Sequence, residues 1–474
     1  MRGPGVIGVR TVDSVSAAMG LALVTDLYEL NMAASYLHRG MTFPATFSLF
    51  VRELPEQRGF VVAAGIEDCL DYLQSFRFTD EDTEWLATHG FPPPMVEALS
   101  GIRFTGDVHA VREGDVVVAN EPLLEVTAPL PEAQLVETFL LNQVTFQSAI
   151  ATKAVRCRIA AGEIPLVDFA LRRTHGVEAS MAVARVSAMA GFTGTSNVEA
   201  ARRFGLRAVG TMAHAYVEAF ADEQHAFSAF VEDIPGPYTF LVDTYDTLEG
   251  VRAAADVVRR MGLDEGDHPR LAIRIDSGDL GALAREARFI LDAAGLIDVG
   301  IFVSGALDEY ALERLREAGA PIDAAGIGTR FGVSADAPYF DSVYKLVAVD
   351  GRPVAKLSEG KESLPGAKQI WRRAGTPDVL ARRDEPGPEG ATALLRLAMA
   401  GGKRSHQRDD LATLRARLEG GLDSFPAEAR RTTNPVAPVA AISDSLRALD
   451  RETTARLRNH VVSNRRSLST LQDT

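Results

Sequence analysis

Between about residues 165 and 335 the chain repeats one pattern, a short apolar run followed by an amphipathic stretch of helical length. The apolar runs are Leu166–Leu171, Ala208–Gly210, Thr239–Thr244, Leu271–Asp276, Val299–Ser304 and Ile322–Gly328. Helical stretches follow them, through Phe230 after the second run and over Thr247–Met261, Leu280–Ala294 and Glu309–Ala318 after later ones. Strands joined through helices pair in parallel, because a tight hairpin can only join antiparallel neighbours. Six such units in succession predict an α/β fold, either a barrel or a doubly wound sheet. In both, ligands bind at the carboxyl ends of the strands. Phe169, Thr211, Asp243, Asp276, Ser304 and Gly326 all fall at or near such ends.

The flanks read differently. Leu27–Arg39 is predicted helical, Thr46–Val51 and Gly59–Ala64 extended, and Asp80–Ala98 helical. Val108–Val111, Asp115–Val118 and Leu123–Val126 are short strands between Gly and Pro turns, and Pro131–Ala149 returns to helix. This is α+β. Beyond the repeats, Tyr344–Val349 and Pro353–Leu357 flank Asp350-Gly351, a strong hairpin signal. The expected organisation is a flexible extension over 1–20, an N-terminal α+β domain over 21–152 and the barrel region over 153–345. Residues 346–474 would add strands to the N-terminal domain and end in an Arg/Ala-rich helical tail. Residues 1–19 carry Arg2, Arg10 and Asp13 without a continuous apolar stretch, which does not fit a signal peptide. They read as a mobile extension, or as preceding a start at Met19.

A net charge of -14 argues against a general binder of nucleic acid or anionic membrane, while leaving room for a phosphate in a locally basic pocket. No apolar run has the length of a membrane span. Cys69 and Cys157 stand apart in helix-like stretches, which fits a reducing cytoplasm rather than a disulfide or zinc framework. Of the basic residues only six are lysines, and Lys345, Lys356, Lys361 and Lys368 lie close together. Chance with an arginine bias explains this; so would a need for compact ammonium groups against phosphates.

Several positions carry chemistry. Gly210-Thr211-Met212-Ala213-His214 closes one strand-like run, and an imidazole held there is fixed and accessible, although a histidine satisfied at a helix start is the plainer reading. Gly326-Ile327-Gly328-Thr329 and Ser304-Gly305-Ala306 end two consecutive runs in small residues, as in the phosphate sites of barrels. Asp276-Ser277-Gly278-Asp279 puts two carboxylates on one turn, able to accept from ribose hydroxyls, to lie near Mg²⁺, or to cap the next helix. Arg274 should share a strand face with Asp276, and Phe169 with Leu171, followed by Arg172-Arg173. An aromatic face beside guanidinium groups suits a flat anionic ring; a core Phe with surface arginines fits equally. Thr25-Asp26-Leu27-Tyr28-Glu29-Leu30 reads as a capped helix start. His175 competes with His214 for a reactive role.

These motifs, with Gly194-Thr195-Ser196-Asn197, Tyr344-Lys345-Leu346-Val347 and Lys356-Leu357-Ser358, occur in this order in nicotinate phosphoribosyltransferases, and the chain resembles that family over roughly residues 22–400. The resemblance implies an irregular (β/α) barrel of the type II phosphoribosyltransferases with an N-terminal α+β domain. It implies a cytoplasmic homodimeric enzyme that joins nicotinate and 5-phosphoribosyl-1-pyrophosphate, with ATP hydrolysis and Mg²⁺. The products would be nicotinate mononucleotide, pyrophosphate, ADP and phosphate, the first step of NAD synthesis by salvage. His214 would be transiently phosphorylated. Arg172 and Arg274 would hold pyrophosphate or carboxylate groups. Phe169 would stack on the pyridine, facing Tyr28 from the other subunit, with Thr211 alongside. Asp276 and Asp279 would sit near ribose and Mg²⁺, and Gly305, Gly326, Gly328 and Thr329 around the 5′-phosphate. Nicotinamide-specific relatives carry Asp where this chain has Ser196; serine removes the repulsion of a substrate carboxylate. Rival readings are a nicotinamide or quinolinate phosphoribosyltransferase and a non-catalytic nucleotide-binding regulator.

Overall fold

The computed structural model describes residues 21–265, 270–358 and 363–472; the expected extension over 1–20 and Lys361 lie outside them. Six parallel strands form one sheet in the order Gly194–Thr195, Leu166–Asp168, Ala324–Ile327, Gly300–Val303, Leu271–Ile275, Tyr238–Leu241. The sheet is a half-barrel. Parallel register aligns the carboxyl ends, for instance Ile327 with Asp168 and Val303 with Ile275. Helices Thr247–Arg260 and Leu280–Ala293 bury apolar residues such as Val251, Val258, Ala284 and Leu291 against it. Asp246, Asp279 and Asp308 cap the helices that leave three of the strands, each accepting from first-turn N–H groups.

One of the six expected strands is replaced. Residues 207–210 contribute only a single parallel bridge, Thr195 to Ala208, and Ala208 is exposed. The edge strand is Gly194–Thr195, paired with Val167 and Asp168. Two residues of Gly and Thr carry no apolar run, so backbone pairing alone defines this strand. The expected run Leu166–Leu171 is also shorter: the strand ends at Asp168, and Leu171–Arg173 forms a turn of 3₁₀ helix. Phe169 and Leu171 therefore do not share a strand face, and Leu171 is exposed.

An antiparallel sheet of seven strands draws on both ends of the chain. Its order is Arg352–Pro353, Ser342–Val349, Pro44–Val51, Pro122–Pro129, Asp107–Ala110, Arg396–Ala400, Lys403–Arg404. The hairpin at Asp350-Gly351 is present with both residues at positive φ, 47° and 69°, and a return strand of only two residues. The single helix expected over Asp80–Ala98 is two, Asp80–Thr88 and Pro93–Ser100, because three consecutive prolines from Pro92 remove the N–H groups a continuous helix needs. The helix expected over Pro131–Ala149 is likewise two, Leu130–Leu135 and Glu137–Ala161.

That second helix has 25 residues and runs between the two main cores. Leu140, Val144 and Ala149 pack into the core of the antiparallel sheet. Ile150, Ala154 and Val155 pack into the core of the half-barrel. The half-barrel core also holds Phe227 and Phe240, fully buried with ring centroids 5.0 Å apart. Phe240→Ala should cost about 3–5 kcal/mol of stability through the cavity it leaves. Urea denaturation followed by far-UV circular dichroism checks this; a loss below about 1 kcal/mol would contradict the packing described.

Candidate active site

The carboxyl ends of the parallel strands converge on Arg274, which is buried on strand Leu271–Ile275. Its Nε donates to Ser304 Oγ at 2.7 Å, one Nη to Thr211 Oγ1 at 2.9 Å and the other to Asp276 Oδ1 at 2.6 Å. Ser304 also donates to Asp276 Oδ1. The guanidinium carbon lies 5.5 Å from the centroid of the Phe169 ring. One planar cation thus ties the end of its own strand to the end of strand Gly300–Val303 and to the loop after residues 207–210, and its fork geometry allows directed bonds that an ammonium could not make together. The expected pairing of Arg274 with Asp276 on one strand face is observed.

The acidic turn is built on two aspartates. Burial opposes ionisation of Asp276, but the Ser304 hydroxyl, Arg274 and the His214 imidazole outweigh it and hold its carboxyl below the usual range. Asp243, at the end of the next strand, accepts from the Asp276 N–H at 3.0 Å and the Ser277 hydroxyl at 2.5 Å through one oxygen. Its other oxygen is buried without a hydrogen-bond partner. Asp279 is exposed and caps helix Leu280–Ala293, accepting from Ala282 N–H at 3.0 Å. Asp243 stands at a recognisable strand end; the distinguishing signal is its orphan oxygen, which no sequence displays.

Phe169 follows the strand end at Asp168, and its N–H donates to Ile327 O at 2.8 Å. Its ring packs at 5.7 Å from Phe302 with planes tilted by 32°. Gly326 lies inside a strand, not in the turn after it, and a β-carbon there would come within 2.6 Å of the Phe169 ring. Its missing side chain makes room for the aromatic platform, a correction to its expected place in a phosphate turn. Asp168, which sequence reasoning passed over, is fully buried. Burial raises its pKa against the opposing hydrogen bonds from Thr195 Oγ1 and Ala170 N–H, at 2.7 and 2.8 Å. Its carbonyl accepts from Ser196 N–H, which places Ser196 beside the Phe169 turn.

His214 opens helix His214–Glu218 with Nδ1 3.2 Å from Thr244 Oγ1. Gly305 has φ of +92°, and a β-carbon there would lie 2.0 Å from the Asp276 carbonyl oxygen, so only glycine lets this loop touch the acidic turn. Gly328 and Thr329 begin helix Thr329–Gly332, with Thr329 exposed. Arg172 is exposed on the Phe169 turn, as are Arg173 and His175. Thus Phe169, Thr211, Arg274, Asp276, Gly305 and Gly326 come together, with Ser196 and His214 adjoining, while Arg172, Asp279 and Thr329 stand exposed along the same loops.

Tyr28 does not join them within this chain. It is half-exposed beside Glu29 and Glu137, and among the described residues no hydrogen bond or ring contact links it to Phe169. Asp26 occupies the cap position of helix Leu27–His38 without a side-chain bond to that helix; its carboxylate accepts from Thr138 instead. Lys368 is buried in a pair with Glu125 at 3.2 Å, so it is not available to a phosphate. Among the described residues no three His, Cys, Asp or Glu side chains converge as a metal cluster, and no helix is long and apolar enough to cross a membrane.

Residues 23–145 match the family model for the nicotinate phosphoribosyltransferase N-terminal domain, and residues 164–370 match that for the nicotinate phosphoribosyltransferase family. Nicotinate phosphoribosyltransferase pncB2 of Mycobacterium tuberculosis is 43% identical over 433 residues, covering 90% of this chain and 92% of the relative. Nicotinate phosphoribosyltransferase of Bacillus subtilis is 42% identical over 361 residues, 74% of this chain and 73% of the relative. The crystal structure of human nicotinic acid phosphoribosyltransferase superposes with a TM-score of 0.77 at 29% identity, covering 90% of this chain and 99% of that one.

Next to Tyr28, Glu29 is fully buried and accepts from the hydroxyls of Thr25 and Thr138. Burial pushes its pKa up to about 7, with the nearby acids Glu137 and Asp26 adding to burial and the two hydroxyls opposing it. Between its ordinary value of 4.5 and about 7 the folded protein keeps a proton that the unfolded chain has lost. Stability should therefore fall as pH rises through that window and level off above it. Thermal melts from pH 5 to 8 should show a smaller decline for Glu29→Gln than for the parent; parallel profiles would refute the assignment.

Proposed function

The chain belongs to the nicotinate phosphoribosyltransferase family and is an enzyme of that activity, and from this premise we propose how its strand-end residues divide the reaction. The ring nitrogen of nicotinate attacks the anomeric carbon of 5-phosphoribosyl-1-pyrophosphate, forming nicotinate mononucleotide and releasing pyrophosphate. The observation that carries the assignment is the Arg274 hub set over Phe169. Phe169 offers a face for the pyridine, and Ser196 leaves space without negative charge for its carboxylate. A transition state with oxocarbenium character needs a positioned nucleophile and a stabilised leaving group. Arg274 and the exposed Arg172 supply cations for the substrate's anionic groups. The loops at Gly305 and at Gly328-Thr329 take the 5′-phosphate. Asp276 accepts from ribose hydroxyls.

Asp276 with Asp243 would hold Mg²⁺, and the bound ion would supply positive charge against the pyrophosphate leaving group. The orphan Asp243 oxygen supports that fit, whereas the capping bond of Asp279 leaves it a lesser part. His214, accessible at a helix start and within the field of Asp276, is the residue we assign to accept phosphate from ATP. The half-exposed Tyr28 supports a homodimer in which it completes the partner's pyridine site. We take residues 153–345 as the catalytic unit and 21–152, joined by strands after 346, as the second; strands Arg352–Pro353, Arg396–Ala400 and Lys403–Arg404 in the antiparallel sheet support that joining, while helix Glu137–Ala161 and strand Ser342–Val349 run across the two boundaries. A cytoplasmic setting fits the two free, buried cysteines.

Incubation with phosphoribosyl pyrophosphate should yield mononucleotide from nicotinate, faster with ATP, and little from nicotinamide. His214→Ala should abolish the ATP stimulation and leave slow ATP-independent synthesis; a variant still stimulated by ATP would remove His214 from this role. Ser196→Asp should raise KM for nicotinate at least about tenfold through carboxylate repulsion. An unchanged KM would place the substrate carboxylate elsewhere.

A further inference from the structure

We propose that Lys153 is a positioning residue that clamps together the two loops assigned to the 5′-phosphate, an inference that rests on that assignment. Its side chain is buried, on helix Glu137–Ala161, behind both loops. The first loop runs from Ser304 into helix Glu309–Glu317, and the Glu309 carboxylate, fully buried, pairs with the Lys153 ammonium. The second loop runs from Gly328 through Thr329–Gly332 to Asp336, whose Oδ1 lies 2.7 Å from the same ammonium. One compact cation thus joins a carboxylate from each loop.

The surroundings reinforce this clamp. Arg156, one helical turn away, donates to Glu309 Oε1 at 3.0 Å. Arg58 binds Asp336 at 2.8 and 3.0 Å and Ser334 Oγ at 3.1 Å. Tyr310 places its ring 5.6 Å from the ammonium and its hydroxyl 3.4 Å from Asp336. At the loops' outer side, Arg330 pairs with Asp308 at 2.9 Å. Two carboxylates behind an anion site would repel a phosphate. Arg58, Lys153 and Arg156 against Glu309 and Asp336 leave the cluster with one surplus positive charge, which reverses that repulsion. Buried ion pairs are a poor route to stability when apolar packing could replace them, so this one calls for a positional role.

Without the ammonium Glu309 would keep only Arg156 and Asp336 only Arg58, and the loops would be joined only by the partly exposed Arg330–Asp308 pair and the long Tyr310–Asp336 contact, so their spacing would relax. Lys153→Met should raise KM for phosphoribosyl pyrophosphate by about tenfold or more, with KM for nicotinate changing less than about twofold. Lys153→Arg should recover most of the difference. Asp336→Asn, a milder change, should raise the same KM by about threefold and decides the matter if the methionine variant does not fold. Folded variants with unchanged KM for phosphoribosyl pyrophosphate, or with both KM values raised equally, would overturn the clamp. Thr329→Val separates the two levels of inference. If it leaves that KM unchanged, the loops are not the phosphate site and both readings fall. If it raises KM while Lys153→Met and Asp336→Asn do not, only the clamp falls.

Discussion

The guanidinium of Arg274 bonds to Asp276 at the end of its own strand, to Ser304 at the end of the neighbouring strand and to Thr211 in the loop after residues 207–210. A directed, charge-assisted fork of this kind fixes orientation as well as distance. Because Asp276 accepts from both Arg274 and Ser304, and hands its N–H to Asp243, the fork extends across the acidic turn. Because the guanidinium also lies over Phe169, it sets the platform on which a flat ring can rest. The site is preorganised by bonds among its own members, which is what a reaction governed by positioning of a nucleophile and a leaving group requires.

A second constraint acts from behind. Helix Glu137–Ala161 contributes to both cores and carries the buried cations Lys153 and Arg156. Arg156 also donates to the carbonyls of Arg431 and Thr432, at 3.1 and 2.6 Å. The C-terminal region, which held no motif in the sequence, is therefore bonded to the helix that lies behind the loops after Ser304 and Gly328. Strand Ser342–Val349 lies against Pro44–Val51 in the same antiparallel sheet, so residues on either side of the half-barrel complete one layer.

Much of the architecture was legible because its periodicities are local. The apolar runs at 239–244, 271–276, 299–304 and 322–328 each correspond to a parallel strand, and the helices between them follow the apolar stripe. The edge strand Gly194–Thr195 was not legible, since nothing in a Gly-Thr pair announces pairing with Val167 and Asp168. Leu171 misled because the chain turns away after Asp168, and a turn of 3₁₀ helix has no alternation of faces. In the site, Arg274 and Asp276 were readable as neighbours two apart on one strand. Asp168 and the orphan oxygen of Asp243 were not, because burial and missing partners exist only in the folded chain.

By itself the sequence determined most of the parallel βα order and, through the ordered motifs, the family. These follow from side-chain period and from the residue types a reaction demands, both local properties. Only the tertiary structure decided that Gly326 makes room for a ring, that Asp279 spends a bond capping its helix and that Lys153 lies between Glu309 and Asp336. Those facts join residues far apart in the chain. Packing and desolvation bring such groups together and select their partners, and neither leaves a mark on the local order of residues.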